Sequence, residues 1–235
     1  MSLLELEHVA KRYREGSRER IVLADVSLHT RAGELVTVWG ARRSGLTTLL
    51  RIAAGIESPD AGTVRFEGRD LAEHAERTLG EGIGYVHKSL RAVEGQDVLE
   101  QVCAPLLARG IDVAQARQRA REALARSGAE HCAAMRVSEL GAGERLRVAL
   151  ARTLALSPTL VIVDEPVGAV ELSERDEILE RLRALAGAGV AVLASTGEPS
   201  ELAGAHRALT LSEGQLRGES VPELAPVVPL RRAGM

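Results

Sequence analysis

One loop of eight residues constrains this chain more than anything else in it. Residues 40–47 read GARRSGLT and lie between the apolar run LVTVW and the helical stretch TTLLRIAAGI. A short β-branched apolar run reads as a buried strand. A glycine-rich turn from strand to helix lets several backbone N–H groups point inward, and the following helix adds its positive N-terminal dipole. The spacing meets the phosphate-loop pattern G-x-x-x-x-G-K-[ST] at every fixed position but the lysine, where Leu46 stands. Gly40, Arg43, Ser44, Gly45, Leu46, Thr47 and Thr48 are the candidate phosphate contacts, with the Thr47 hydroxyl a candidate magnesium ligand. A glycine-rich turn that binds nothing has the same spacing, so the loop by itself leaves both readings open.

A second motif lies in the same kind of place. The apolar run in TLVIVDEP ends in Asp164 and Glu165, an arrangement that can hold magnesium and position an attacking water, or present two solvated acids. The stretch GVAVLAST gives another strand, with the amphipathic helix SERDEILERLRALAGAG between the two. Strand, helix and strand with nearly all-apolar strands predict an α/β core around a parallel sheet. Towards the start, LLELEHVAKRY and IVLADVSLHT alternate as half-buried strands do, with a turn expected over the charged REGSRER. TVRFEGRDL reads as a further strand and turn, and the first helix is expected to end at ESPDAG. Residues 89–136 turn helical and rich in Ala, Arg and Glu, as an inserted lobe. The expected organisation is one domain over 1–218, with its core at 1–88 and 137–218 and the lobe at 89–136, then a proline-containing tail over 219–235.

Composition excludes several alternatives. A formal net charge of −3 gives no basic footprint for nucleic acid. Trp39, Tyr13, Tyr85 and Phe66 are all the aromatics, so the core must be aliphatic. Cys103 and Cys132 have no ligand spacing around them and read as reduced, buried thiols, and the six histidines are expected to form no metal cluster. No run approaches the ~20 apolar residues of a membrane span, and MSLLELEHVAKRY carries charges where a signal peptide is apolar. A cytoplasmic chain is expected, one that reaches a membrane only through a partner.

Residues 138–154, SELGAGERLRVALARTL, decide between the open readings. They resemble the signature of ATP-binding-cassette (ABC) ATPases, close to L-S-G-G-Q-x-x-R-V-x-x-A-R-A-L. Leu140, Gly143, Arg147, Val148, Ala149, Ala151, Arg152 and Leu154 fall in place. The resemblance extends over residues 3–218 and looks most like the branch that serves lipoprotein-release and macrolide-export permeases. It implies a P-loop NTPase fold, with an ABC-type core, an antiparallel β subdomain and an inserted α-helical lobe. It implies Tyr13 stacking on adenine, GIGYVHKSL as the glutamine-loop segment, GAVE as the D-loop and LASTGEPS as the switch-histidine segment. Mg-ATP is the implied cofactor, with magnesium held by Thr47 and Asp164 and Glu165 as general base. The implied partners are an integral membrane permease, docked on the helical lobe at the inner face of the membrane, and a second cassette, identical or not.

The departures concentrate on phosphate contacts. Leu46 replaces the lysine, Lys88 the glutamine, Gly197 the switch histidine and Glu171 the D-loop aspartate, while in the signature residues Leu140, Gly141, Ala142, Gly143 and Glu144 the serine and first glycine are replaced by Gly141 and Ala142. A hydrogen bond to a charged group contributes about 1.5–3 kcal/mol, so loss of the lysine weakens ATP about ten- to a hundredfold. Hydrolysis needs preorganised donors where charge develops, and Leu46 and Gly197 remove two of them. The expectation is a degenerate cassette, weak or absent in ATP binding and with little or no turnover, in a regulatory or scaffold role. Two alternatives stand beside it. One is an active MgATPase in which Arg42 and Arg43 supply the missing charge; the other is a soluble interaction protein unconnected with transport. On the helical lobe, Val98, Leu99, Val102, Leu106 and Leu107 keep helical apolar spacing, shared between core packing and a docking groove.

Overall fold

The computed structural model describes residues 2–16, 18–73, 82–87, 95–168, 170–202 and 204–218. In chain order the elements are β1 (Ser2–Glu15), β2 (Arg18–Arg31), β3 (Leu35–Trp39), α1 (Leu46–Ala53), β4 (Ala61–Phe66), β5 (Arg69–Asp70), β6 (Ile83–Val86), α2 (Val98–Leu107) and α3 (Val113–Ser127). Then follow α4 (Ala142–Leu154), β7 (Leu160–Val163), α5 (Leu172–Gly187), β8 (Ala191–Thr196), β9 (Arg207–Ser212) and β10 (Gln215–Arg217).

Six strands form the central sheet in the order β10-β9-β3-β8-β7-β6, parallel throughout except for the β10 edge. Both faces of this sheet are covered, which is why β7 and β8 are buried at every residue and read as unbroken apolar runs. Side chains alternate between the faces along each strand. Val36, Ile162 and Leu193 join a cluster with Leu49 and Leu50 of α1 and with Leu4, Leu23 and Val64 of the antiparallel sheet β2-β1-β4-β5. Their neighbours Leu35, Val161, Val163 and Val192 join a second cluster that runs without a break into α2, α3 and α4 through Val102, Leu106, Leu124 and Leu150. The helical lobe therefore shares its core with the sheet rather than forming one of its own.

The lobe's helices are capped as their sequence suggests. Asp97 and Glu100 make reciprocal caps at the start of α2, and the Asp112 carboxylate accepts N–H bonds from Ala114 and Gln115 at the start of α3. Of the five apolar positions singled out on the lobe, Val98, Leu99, Val102 and Leu106 are buried and Leu107 is 42% exposed.

Two boundaries differ from the sequence expectation. The charged stretch expected as a turn is mostly strand, because β1 runs to Glu15 and β2 begins at Arg18. Arg14, Arg18, Glu19 and Arg20 are all exposed, so nothing in their polarity alternates; the backbone ladder and an Arg12–Glu19 ion pair at 3.8 Å join the strands instead. Helix α1 ends at Ala53, earlier than expected, with Gly55 at φ 69° just beyond.

Candidate nucleotide site

The loop after β3 is closed by its own backbone. Gly40 N–H donates to Thr196 O at 3.1 Å, Ser44 N–H to Ala41 O at 3.0 Å and Leu49 N–H to Gly45 O at 2.8 Å. Its two glycines are required. A Cβ on Gly40 would stand 2.4 Å from Ser44 Oγ and 3.0 Å from Leu211 O. Gly45, the residue that caps α1, has φ 107° and would press a Cβ to 2.9 Å from Val22 O. The Ser44 hydroxyl is buried without a hydrogen-bond partner among the described residues, an uncommon state for a polar atom and one that an anion in the cradle would relieve.

The loop borders a cavity of about 210 Å³. Arg43, Ser44, Gly45, Leu46, Thr47 and Thr48 line it from the loop and the first turn of α1, Tyr13 and Arg20 from the hairpin, and Glu165 from the segment after β7. Leu46 is only 5% exposed, packing with Leu49 and Leu50 while presenting its edge to the cavity. The structure separates the two loop arginines. Arg43 (φ 66°) lines the cavity, whereas Arg42 is exposed and is not among the lining residues.

Arg20 is a site residue that the sequence did not reveal. It pairs in register with Tyr13 across the hairpin, and its Nη2 donates to Arg43 O at 3.0 Å. The extended hairpin carries it to the loop, and a charged stretch expected as a turn gave no reason to place it there. Tyr13 is fixed by its hydroxyl, which donates to Glu57 Oε1 at 2.5 Å and lies 3.3 Å from Thr48 Oγ1. Burial and then the Glu57 carboxylate push that hydroxyl above its ordinary pKa.

The two carboxylates after β7 have different surroundings. Asp164 is buried; its Oδ1 accepts from Ser195 Oγ at 3.0 Å and its Oδ2 from Tyr85 OH at 3.4 Å. Ser195 Oγ also accepts the Glu165 N–H at 3.0 Å, so one hydroxyl ties both residues together. Burial, then the Asp164 charge, pushes the Tyr85 hydroxyl far above its ordinary pKa and keeps it a donor. Glu165 has φ 47°, a left-handed conformation few non-glycine residues adopt, at the point where the chain turns past the cavity. Thr47 and Glu165 thus share the cavity, while Asp164 sits outside its lining in the Ser195–Tyr85 network. Gly197 is exposed, a Cβ there would meet nothing within 4 Å, and its carbonyl accepts from Trp39 Nε1 at 3.2 Å. Glu171 is the exposed residue preceding α5. Lys88 lies outside the described residues.

Residues 140–144 do not line this cavity. Leu140 is buried, Gly141 and Ala142 are exposed where α4 begins, and Glu144 Oε2 accepts the Gly141 N–H at 2.8 Å. A Cβ on Gly143 would come to 2.6 Å from Glu174 Oε1, so that carboxylate would have to shift from its place. That carboxylate is held at 2.6 Å by Arg147 Nη2, while Nη1 reaches Glu177 at 3.2 Å.

One sequence expectation bears on a group of side chains nearby. The six histidines were expected to form no metal cluster; His131, Cys132 and Glu144 offer ligand atoms all within 4.8 Å of one another. His131 and Cys132 lie far along the chain from Glu144, and only the packing of their turn against α4 joins them. Burial, then the neighbouring Glu144, pushes the Cys132 thiol up to about 11.

A glycine cradle at the β3–α1 turn, with an acidic strand end two strands away in a parallel sheet, gives the fold of a P-loop NTPase. Within that class the chain belongs to the ABC transporter family, whose pattern matches residues 23–168, and it is an ATP-binding domain of that family. It is 39% identical over 219 residues to the lipoprotein-releasing system ATP-binding protein LolD of Chromohalobacter salexigens, covering 91% of this chain and 92% of that one. It is 34% identical over 218 residues to a probable export ATP-binding/permease protein MacB of Pseudomonas entomophila; there it covers 91% of this chain but spans only 33% of the relative. The backbone is similar to the dimeric ATP-binding cassette MJ0796 in a post-hydrolysis state bound to ADP and Pi, with TM-score 0.84, 26% identity, and 92% and 97% of the two chains covered.

Proposed function

We propose that this chain is the ATP-binding subunit of a membrane transporter, paired with a second cassette and docked through its helical lobe on a permease at the inner face of the membrane. We further propose that its own loop binds MgATP weakly and supports little or no hydrolysis. The LolD and MacB likeness supports the transport role. Among the described residues no helix is long and apolar enough to cross a membrane, and the permease supplies the attachment in this reading. Residues 140–144 stand apart from the chain's own cavity, which suits a site completed by the signature of a second cassette.

One observation carries the weakened binding: an apolar, nearly buried Leu46 where the family pattern has a lysine, in a loop whose backbone cradle is otherwise intact. Backbone N–H groups, the α1 dipole and the Ser44 hydroxyl remain to hold phosphate, Thr47 and Asp164 to hold magnesium, Glu165 to orient water and Tyr13 to stack on the base. Magnesium supplies charge neutralisation on the phosphates. What is missing is mobile positive charge on the transferring group.

A second reading, an active MgATPase, draws support from Arg20 and Arg43 at the same cavity. Equilibrium MgATP binding and steady-state phosphate release separate the two, measured on the wild type, Leu46→Lys and the Arg20→Ala/Arg43→Ala double variant. Weak wild-type binding, tightened about ten- to a hundredfold by the lysine and without release above background, bears out the first. Release that Arg20→Ala/Arg43→Ala and Glu165→Gln both abolish would establish the second.

A further inference from the structure

The short helical turn Glu130–Cys132 lies beside the first turn of α4, joined to it by the His131–Glu144 contact, and three unlike ligand groups come together there. His131 Nε2 stands 3.2 Å from Glu144 Oε1, and the Cys132 sulfur completes a triangle with no side longer than 4.8 Å. A tetrahedral ion with bonds of about 2.0–2.3 Å keeps its ligand atoms roughly 3.3–3.5 Å apart, so small side-chain movements close the set.

We infer that His131, Cys132 and Glu144 form a three-ligand site for a thiophilic divalent transition ion, with Zn2+ its natural occupant and solvent in the fourth position. Thiolate, imidazole and carboxylate together suit zinc, whereas magnesium and calcium favour oxygen alone. Two of the three ligands are held in place by the fold. Cys132 is fully buried, with its N–H bonded to Ala129 O at 3.1 Å. Glu144 is oriented through Oε2 by the Gly141 N–H at 2.8 Å, leaving Oε1 towards the other two ligands. The His131 side chain is 59% exposed, which gives the ion a way in and the fourth position a water. Arg147 is a cation whose charge reaches Cys132, and that charge is taken up by Glu174 at 2.6 Å and Glu177 at 3.2 Å. Helix capping explains Glu144 by itself; it does not explain a buried thiol and an imidazole converging on the same carboxylate. A bound ion would fasten the lobe's turn to the helix that begins within residues 140–144, and so fix the segment that faces a second cassette. The site stands whether or not the phosphate loop binds ATP.

Titration of the full reduced chain with Co2+ tests this, because a cysteine ligand gives cobalt a thiolate charge-transfer absorption. The expected result is one Co2+ per chain with that band, displaced by Zn2+ and untouched by Cys103→Ser. Cys132→Ser should abolish the band. His131→Ala alters an exposed side chain that folding does not need, and should weaken binding at least ~tenfold. Absence of cobalt binding by the reduced wild type, binding without the thiolate band, or wild-type affinity in His131→Ala would each overturn the proposal.

Discussion

The phosphate loop and the signature segment both depart from the ABC pattern, and they do so differently. In the loop the backbone geometry is kept and a side chain is exchanged: Gly40 and Gly45 stay where a Cβ would collide, while Leu46 is packed in the core cluster around α1. In the signature segment the position clamped by the fold is kept, Gly143 beneath the Glu174–Arg147 pair, and the two exposed positions before it, Gly141 and Ala142, have changed. Gly197, where the resemblance places the switch residue, likewise faces open space. The glycines that remain are those at which a Cβ would crowd a neighbour, whereas Gly141, Ala142 and Gly197 are exposed.

The largest effects should appear where the fold does the holding. Glu174→Ala leaves Arg147, 8% exposed, with Glu177 as its remaining acidic partner among the described residues. Breaking a buried pair costs about 3–5 kcal/mol; because Glu174 is partly exposed and Glu177 remains, a loss of about 2–3 kcal/mol in urea unfolding is expected. Gly143→Ala should lose about 1–3 kcal/mol by crowding the same carboxylate, whereas Gly141→Ser, with only Glu144 Oε2 at 3.7 Å, should stay within about 0.5 kcal/mol. Equal losses at positions 141 and 143 would break the contrast.

Next comes ligand-only chemistry. Leu46→Lys should tighten MgATP by about 1.5–3 kcal/mol in calorimetric titration without raising stability, its stem taking over the apolar packing and its ammonium reaching the cavity. Gly40→Ala in that background should abolish the gain, because its Cβ displaces Ser44. Smaller still, Gly197→His should leave the urea midpoint unchanged within about 0.5 kcal/mol; a clear loss would mean that the switch corner is packed after all.

The smallest effect concerns pH. The Arg12 N–H and the Lys11 ammonium hold the Asp60 carboxyl below its usual range, and desolvation opposes them. A depressed native pKa gives stability that is present above the ordinary value near 3.8 and disappears as pH falls through the lower native one. Wild type should therefore be slightly more stable than Asp60→Asn at neutral pH, and the difference should shrink to nothing in strong acid. A difference that persists at the acid end would point to geometry rather than charge.

Much of this was legible in the residues. The apolar runs at β3, β7 and β8 and the glycine spacing of the loop specify a parallel sheet with a strand-to-helix cradle, because burial on both faces leaves unbroken hydrophobic runs and a tight turn leaves glycines. Arg20 and Ser195 were not legible. An arginine in a charged hairpin and a serine in an apolar strand look like a solvated charge and a tolerated polar residue until register and strand order place them beside Arg43 and Asp164. The His131–Cys132–Glu144 grouping was not legible either, because only the fold brings Glu144 of α4 to the adjacent His131 and Cys132 of another turn.

By itself, then, the sequence determined the family, the sheet, the cradle and the exchanged positions, all of them properties of local pattern. Only the tertiary structure decided which of those positions the fold holds and which only a ligand would need. That distinction depends on what stands within a few ångströms of each residue, and those neighbours come from distant parts of the chain.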